Sequence, residues 1–470
     1  MPQSSRATAP GVSRHSSRRA LALTVILGAQ LMLQMDFLIV MVALPQIQQD
    51  LGFSAAGLSW VPNAFALALG GLLLLGGRLG DAYGRVRAFK VGIALFVLAS
   101  LMGGLAQGSF MLVLARVLQG VGAAIAAPSV LALVTNIARD ETELNRGLGL
   151  FIAVSSVGAS AGLILGGALT QYLSWRWSLL INVPVGLLIF LMVGNVVDET
   201  DTQSSSFDVS GALAATVGSI ALVFGFINAA EHGWGSAMTL GAFSVAICLL
   251  STFWIVEGRV RHPLLDLDLL RDRTRVTALV VMAVIVGMHF SMLFLVVQFF
   301  QQVLGFGPLQ AGLAYLPVTI TVFVVTHFMP RLIGRFGAPR LQLSGCLLVS
   351  GSFAGFALIG ADSLYIGAIL LPMLIHSLGI ALVFTPGTVL AMQGVPARQS
   401  GSASGLLQMD QQIGGALGIA AVTSVFAMAA VPENFTSGLP MAFSAAAVLS
   451  LAAACLSLTL ILKQTRHTTP

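Results

Sequence analysis

The chain has 470 residues, of which 57% are hydrophobic and only 9% are charged, and its mean hydropathy is +0.93. This balance excludes a water-soluble globular protein of this size and indicates a polytopic membrane protein. The net charge of +5 lies in short loops and forms no Lys/Arg-rich face with interleaved aromatic residues, so nucleic-acid binding is not expected.

Apolar stretches long enough to cross the hydrocarbon core as α-helices predict roughly fourteen membrane spans. Their approximate limits are 20–44, 57–76, 88–107, 109–135, 147–170, 177–197, 208–229, 236–256, 275–303, 310–329, 341–359, 364–392, 402–430 and 440–462. An even number of spans places both chain ends on the same side of the membrane.

Basic residues predict which side that is. Of the 23 Lys and Arg residues, only Arg176 falls in a loop on the side opposite the termini, and Arg116 lies within a span. Because short loops rich in Lys and Arg stay in the cytoplasm, we expect a multi-pass protein of the cell inner (plasma) membrane. Segments 1–19 and 463–470 are then cytoplasmic tails.

The two halves of the chain resemble each other in order and orientation. Met35-Asp36-Phe37 returns as Met288-His289-Phe290, and 48–53 returns as 301–306, both at an offset of 253 positions. Such parallel repeats are typical of transporters that alternate access around a central site. The pattern predicts an N-terminal six-helix bundle over 20–200, two inserted helices over 201–260 and a C-terminal six-helix bundle over 261–462.

Short motifs along the chain carry a family resemblance. They are Gly77–Arg87, Arg116–Gly122, Gly158–Gly167, Trp175–Trp177 with Ile181–Gly186, and Gly401–Gly405. In them the chain resembles the major facilitator superfamily, and specifically its fourteen-helix drug:proton antiporters. The resemblance implies the fold of that family, two pseudosymmetric bundles plus two inserted helices. Leu163 stands where the exporters usually have proline, which removes an expected kink.

The first motif forms a loop between the second and third spans. Asp81 lies at the C-terminal end of its span, where the helix dipole disfavours an anion, so it needs a partner such as Arg85, Arg87 or the N-terminus of a neighbouring helix. The resemblance implies a cytoplasmic gating loop, and the alternative is a solvated turn whose charges only set topology. The predicted loop residues are Gly77, Asp81, Gly84, Arg85 and Arg87.

Glycines in the fifth span predict a helix-packing face. Gly158, Gly162 and Gly166 recur every four residues, and Gly167 follows, which allows close approach of a neighbouring backbone. Plain packing and a mechanistic role both fit this spacing.

Charged residues within spans are costly and usually serve function. Asp36 and Arg116 lie at comparable depths, ~12 Å and ~10 Å from the side opposite the termini at ~1.5 Å per residue. We expect Asp36 to be a proton-coupling carboxylate whose charged form is held by Arg116. The resemblance supports both positions, and the alternative is a purely structural ion pair.

The second half contributes two further candidates for proton coupling. His289 is the repeat counterpart of Asp36 and can change charge near neutral pH. Asp410 could accept a proton or attract a cationic drug, or it could be an acid exposed in an inner vestibule. His327 and His376 are interpreted as packing residues. The predicted substrate cavity comprises Gln34, Met41, His289, Gln298, Asp410 and Gln411.

No phosphate-cradling loop, paired-histidine metal motif or nucleophile elbow occurs in the sequence, so neither ATP hydrolysis nor another enzymatic activity is expected. We expect no metal or cofactor, with protons, a small-molecule substrate and the lipid bilayer as partners; a monomer is compatible with the sequence. The leading hypothesis is proton-coupled efflux of amphipathic or cationic drugs, antibiotics or secondary metabolites. An uptake symporter and a non-transporting sensor or scaffold are the alternatives.

Overall fold

The structure, a computed structural model, describes residues 10–138, 140–199, 209–259, 267–396, 399–431 and 434–467. These residues form membrane-length α-helices joined by short connections. The helices are α1 (Pro10–Leu51), α2 (Trp60–Tyr83), α3 (Arg85–Gly104), α4 (Ser109–Ile137), α5 (Glu141–Tyr172), α6 (Trp177–Leu180), α7 (Asn182–Val196), α8 (Val209–His232), α9 (Ala237–Glu257), α10 (Arg273–Gln302), α11 (Pro308–Ala314), α12 (Leu316–Phe336), α13 (Ala338–Phe356), α14 (Leu370–Met392), α15 (Ser400–Ala429) and α16 (Leu439–His467).

Every predicted span coincides with one helix or with two helices in succession. Thirteen of them, counted over the described residues, are long and apolar enough to cross a membrane. The remaining one is α13, in which Arg340, Gln342 and Ser344 lower the hydropathy of the first two turns. Helix α1 begins at Pro10, inside the predicted tail 1–19, and α16 continues to His467, inside the predicted tail 463–470.

Two bundles repeat the same packing pattern. Helix α1 packs against α4, α5 and α7, and α10 packs in the same way against α14, α15 and α16. Likewise α3 contacts α4 and α7, as α13 contacts α14 and α16. The predicted fold class is therefore confirmed, with an N-terminal bundle of α1–α7 and a C-terminal bundle of α10–α16. We call the face that carries the chain termini the terminal face and the opposite one the distal face.

Glycines allow the helices of each bundle to approach closely. A Cβ on Gly76 of α2 would collide with the backbone of Ala124 in α4, and a Cβ on Gly418 of α15 would collide with Gly287 of α10. Without water to expel between the helices, van der Waals packing of small residues is a main source of helix association in a bilayer. The positions of these glycines thus determine which helices meet.

The inserted helices lie across the seam between the bundles. Helix α8 packs against α2 of the N-terminal bundle and α15 of the C-terminal bundle, while α9 packs on α8. The Ser424 hydroxyl of α15 donates to the Phe226 carbonyl of α8 at 2.6 Å. Leu240, Ile247 and Trp254 of α9 are exposed, as expected for side chains that face lipid.

Candidate functional site

The N-terminal bundle encloses a network of buried polar side chains around Asp36. One carboxylate oxygen, Oδ2, is paired with the Arg116 guanidinium of α4. The other, Oδ1, accepts hydrogen bonds from Asn182 Nδ2 of α7 at 2.7 Å and from Gln119 Nε2 of α4 at 3.1 Å. Gln119 Nε2 also lies 2.8 Å from the Ser100 hydroxyl of α3. Two neighbouring helices, α4 and α7, therefore bind the carboxylate of α1 directly, and α3 joins the network through Gln119.

Arg116 is held independently of Asp36. Its Nε donates to the Val61 carbonyl at 3.0 Å, its Nη1 donates to Gln119 Oε1 at 2.9 Å, and its guanidinium lies 4.5 Å from the centre of the Phe65 ring. Hydrogen bonds to charged groups contribute about 1.5–3 kcal/mol each, and a buried ion pair needs such bonds to offset its desolvation. Contacts other than the ion pair therefore also position the guanidinium, although its buried Nη2 has no hydrogen-bond partner among the described residues.

The carboxylate is closed off from solvent in this conformation. Asp36 is 1% exposed and Arg116 is 0% exposed. The Asp36 side chain points into its own bundle, between α1, α4 and α7. In this conformation the packing of its own bundle separates the carboxylate from solvent.

Sequence reasoning missed three members of this network, Ser100, Gln119 and Asn182. Gln119 follows Arg116 by three positions, so both lie on one face of α4, and this spacing could have indicated it. Asn182 is the first residue of α7 and lies in the motif Ile181–Gly186. The direction of its side chain depends on the short helix α6 that precedes it, which periodicity does not predict.

The structure does not bring Asp36 and His289 together. His289 points into the C-terminal bundle, where its Nδ1 lies 3.1 Å from Nε2 of His376. The residues that meet at the bundle seam are their neighbours, Phe37 and Phe290, whose ring centres are 4.8 Å apart. His376, which the sequence assigned to packing, is thus a hydrogen-bond partner of His289.

The remaining predicted cavity residues have different surroundings. Met41 is 0% exposed and Gln298 is 4% exposed, and the Gln298 amide donates to the Phe294 carbonyl of its own helix at 3.1 Å. These two lie in the packed interior. Gln34 is exposed, whereas Asp410 and Gln411 are partly buried. Asp410 Oδ2 is buried without a hydrogen-bond partner among the described residues.

The two bundles touch each other near the distal face. Gln301 Nε2 of α10 donates to the Val42 carbonyl of α1 at 2.8 Å, and the Leu309 backbone N–H of α11 donates to Gln171 Oε1 of α5 at 3.1 Å. A Cβ on Gly312 of α11 would lie 2.5 Å from the Leu163 carbonyl oxygen of α5. These contacts hold the bundles together at that end.

Comparison with known proteins gives a consistent result. The model of the Major Facilitator Superfamily matches residues 26–419. The chain belongs to this family. The family is one of transporters, so the protein is a multi-pass membrane transporter of small molecules and not an enzyme. Within the described residues, no group of three His, Cys, Asp or Glu side chains could hold a metal ion.

The chain is similar to several curated members of the family. It is 36% identical over 418 residues to the uncharacterized MFS-type transporter EfpA of Mycobacterium tuberculosis, covering 89% of this chain and 79% of that one. It is 37% identical to the puromycin resistance protein pur8 of Streptomyces alboniger, covering 87% and 82%. It is 34% identical to the cephamycin export protein CmcT of Amycolatopsis lactamdurans, covering 96% and 94%.

Solved structures share the fold at low sequence identity. The POT family transporter PepTSo has a TM-score of 0.71 at 14% identity, with 95% of this chain and 98% of that chain covered. The nucleoside transporter NupG has a TM-score of 0.67 at 13% identity, with 94% and 99% covered. These likenesses confirm the major facilitator fold.

In this major facilitator chain, the loop between α2 and α3 is held by carboxylates at two points. Arg85 pairs with Asp81 and donates to the Gly77 carbonyl at 3.2 Å. Glu199, from the connection after α7, accepts the backbone N–H groups of Val86 at 2.8 Å and Arg87 at 3.0 Å. An anion at a helix N-terminus is favourable, so Glu199 caps α3. Arg85 is therefore the partner that Asp81 required.

Gly84 explains why this loop can close so tightly. Its φ of +99° lies in the region that favours glycine, and a Cβ there would stand 2.6 Å from the Glu199 carboxyl group. Arg87 lies 3.9 Å from the same carboxylate. A substitution at Gly84 would therefore strain the backbone and would also displace Glu199.

The glycine motif of α5 faces two different surfaces. Gly158, Gly162 and Gly166 pack against α1 within the N-terminal bundle, at Gln34, Met35 and Ile39 respectively. Gly167 instead faces α11 of the other bundle, where a Cβ would lie 2.6 Å from the Pro308 carbonyl oxygen. Consecutive residues of a helix are rotated by about 100° around its axis. Gly166 therefore packs inside the N-terminal bundle, whereas Gly167 packs between the bundles.

Proposed function

We propose that the protein exports amphipathic or cationic small molecules, such as antibiotics, from the cytoplasm in exchange for protons. The observation that carries this proposal is the similarity, at 34–37% identity, to two proteins named for puromycin resistance and cephamycin export. A relative named as a tetracenomycin C resistance and export protein of Streptomyces glaucescens, 35% identical over 402 residues, also supports it.

The proposal assigns the terminal face to the cytoplasm and the distal face to the outside, in the plasma membrane. The basic residues of the loops support this orientation. The distal contacts between α1 and α10 and between α5 and α11 then correspond to a state closed to the outside. Export requires these contacts to part while the bundles close on the cytoplasmic side.

Proton exchange is assigned to Asp36. Its carboxylate accepts hydrogen bonds from Arg116, Gln119 and Asn182 inside the bundle. Once the bundle opens and a proton binds, the carboxyl group loses its attraction for Arg116, and the polar groups around it must rearrange. Protonation of Asp36 and the arrangement of the bundle are thereby coupled, which is what antiport demands.

Purified protein in liposomes tests the direction of transport. We expect puromycin to move against its gradient when protons flow down theirs in the opposite direction, and to stop moving uphill when the pH gradient is collapsed. Uphill movement of puromycin together with protons would instead establish a symporter. The absence of puromycin, cephamycin and lincomycin flux would favour a sensor or scaffold.

Gly167→Val tests the distal contact between the bundles. The added side chain cannot fit against Pro308, and overpacking costs about 1–3 kcal/mol, which shifts a two-state equilibrium roughly 5- to 150-fold. We expect the rate of puromycin export to fall by this factor of roughly 5 to 150. A cysteine placed at Leu309, in a background without Cys248, Cys346 and Cys455, should become more reactive to an impermeant maleimide.

Gly108→Val is the matched control, because Gly108 precedes α4 in an extended conformation and a Cβ there would meet nothing within 4 Å. Equal export by the Gly167 and Gly108 variants, with equal labelling at Leu309, would remove the distal contact from the mechanism.

Asp410→Asn tests whether the substrate is recognised as a cation. The buried, unpartnered Oδ2 of Asp410 can attract an amino group, so we expect the Michaelis constant for puromycin, which is protonated near neutral pH, to rise about tenfold. Transport of a cephamycin, which carries a carboxylate, should change less than twofold. Equal losses for both substrates would contradict cation recognition at this residue.

A further inference from the structure

The C-terminal bundle contains a buried polar cluster that the proposed function does not use. His289 of α10 and His376 of α14 are stacked, with ring centres 5.3 Å apart and planes 15° apart. His376 Nδ1 lies 3.3 Å from the Ser352 hydroxyl of α13. His376 is 0% exposed and Ser352 is 1% exposed, whereas His289 is partly exposed.

This cluster lies on the helices of the C-terminal bundle that correspond to those of the Asp36 network. Helices α10, α13 and α14 correspond to α1, α3 and α4 by their packing. His289 is the repeat counterpart of Asp36, His376 stands on the helix equivalent to that of Arg116, and Ser352 stands on the helix equivalent to that of Ser100. Each bundle thus carries a polar centre built from equivalent helices.

The hydrogen bonds indicate where the protons lie. The Ser352 hydroxyl donates to the Val349 carbonyl at 2.6 Å, so its oxygen is left to accept from His376 Nδ1–H. His376 Nε2 then carries no proton and accepts from His289 Nδ1–H. This assignment, made from the network, leaves His289 Nε2 as the unprotonated nitrogen at the end of the chain, on the partly exposed ring.

We propose that His289 and His376 form a second proton-binding site, in which a proton taken up at His289 Nε2 is shared with His376. The step forms one N–H bond at His289 Nε2 with a proton delivered by hydronium, which leaves as water. The Nδ1–H bond of His289 then either stays intact or breaks as its proton forms an N–H bond at His376 Nε2, and in both cases the pair gains one positive charge. The Phe290 ring, next in sequence, contacts Phe37 across the seam, which links this charge to the bundle interface.

Among the described residues that contact the His289–His376 pair, none carries a fixed charge. Asp36 of α1 is paired with Arg116 inside the other bundle. Asp410 of α15 lies more than a helical turn toward the terminal face from Gly415, which packs on Phe290. Cys346 of α13 is buried, the Tyr315 hydroxyl donates to the Leu293 carbonyl at 3.2 Å, and Cys455 of α16 and His327 of α12 are exposed.

This inference rests on the proposed proton coupling, and the experiment separates the two. Puromycin transport in liposomes would be measured as a function of pH for the wild type, His289→Gln, His376→Gln and His327→Gln. Counterflow of puromycin without a gradient reports the transport cycle alone. We expect both pair variants to lose about tenfold of gradient-driven accumulation and to lose less of the counterflow, which needs no net proton movement.

His327→Gln is the matched control, since that histidine is exposed on α12, and it should behave as the wild type does. A wild-type profile in both pair variants would overturn the second site while leaving proton-coupled export intact. If the wild type itself shows no response to a pH gradient, the proposed coupling fails first, and the second site fails with it.

A structural role for the pair would produce a different pattern. Loss of packing lowers the melting temperature of the purified variants without changing the shape of the pH profile. Nitrogen-15 NMR of labelled histidine side chains provides an independent measurement. We expect the His289 and His376 signals to titrate as one coupled pair that takes up a single proton, with His289→Gln altering the His376 titration and His327→Gln leaving it unchanged. Independent titration, or none between pH 4 and 9 (about the range set by ordinary histidines), would contradict a shared proton.

Discussion

Asp36→Asn should abolish the response of puromycin flux to an imposed pH gradient. Asparagine retains an oxygen that can accept hydrogen bonds from Gln119 and Asn182, but it cannot bind and release a proton near neutral pH. We expect gradient-driven accumulation of puromycin in liposomes to fall by about a hundredfold or more, because loss of a positioned proton-transfer group lowers rates by about this factor.

Two controls separate coupling from folding in this variant. Asp36→Glu keeps the carboxyl group and should retain part of the pH response. Counterflow of puromycin without a gradient should persist in Asp36→Asn, because it needs no net proton movement. Accumulation within twofold of the wild type would remove Asp36 from the coupling mechanism and leave the Asp36–Arg116 pair as a structural contact.

Arg116→Leu should be among the most destabilising single substitutions in the N-terminal bundle. It leaves Asp36, which is 1% exposed, without its positive partner, and breaking a buried pair in this way costs about 3–5 kcal/mol. The expected result is a large fall in melting temperature and in the yield of detergent-solubilised protein. Thermal unfolding of the purified protein provides the measurement.

The double variant Asp36→Leu/Arg116→Leu tests the origin of that loss. With both charges removed, no ion remains unpaired, so we expect much of the lost stability to return although proton coupling does not. Gln119 and Asn182 would still lack their acceptor, which limits the recovery. A double variant as unstable as the sum of the two single variants would show that the pair contributes no interaction energy.

Much of the architecture could be predicted because the length of the apolar segments in the sequence is a strong signal of membrane-spanning helices. Every predicted span coincides with a helix, including α13, whose polar first turns reduce its apolar character. The depth of Asp36 and Arg116 along their helices was also readable, because each helical residue advances by about 1.5 Å. Two opposite charges at similar depth in neighbouring helices are brought together by the high cost of leaving either one alone.

The direction of each side chain around its helix axis was harder to predict. Gln34 and Met41 both lie on α1, but Met41 turns into the packed interior and Gln34 is exposed. Helix rotation depends on which glycines and small residues meet across a crossing, as at Gly162 against α1. Such contacts involve residues far apart in sequence, so periodicity within one span does not contain them.

The pairing of His289 with His376 shows the same limit in the second bundle. The repeat could be aligned at Asp36 and His289, but no motif marks His376. Gly167 is a related case, since its neighbour Gly166 packs on a different helix. In both cases, moving one position along the helix turns the side chain toward a different surface of the bundle.

Helix α8 touches both halves of the molecule, α2 on one side and α15 on the other. A helix that contacts both halves restricts their separation along that flank. If the bundles rock as proposed for export, the distances from α8 to α2 and to α15 should change less than the distances across the seam between α5 and α11.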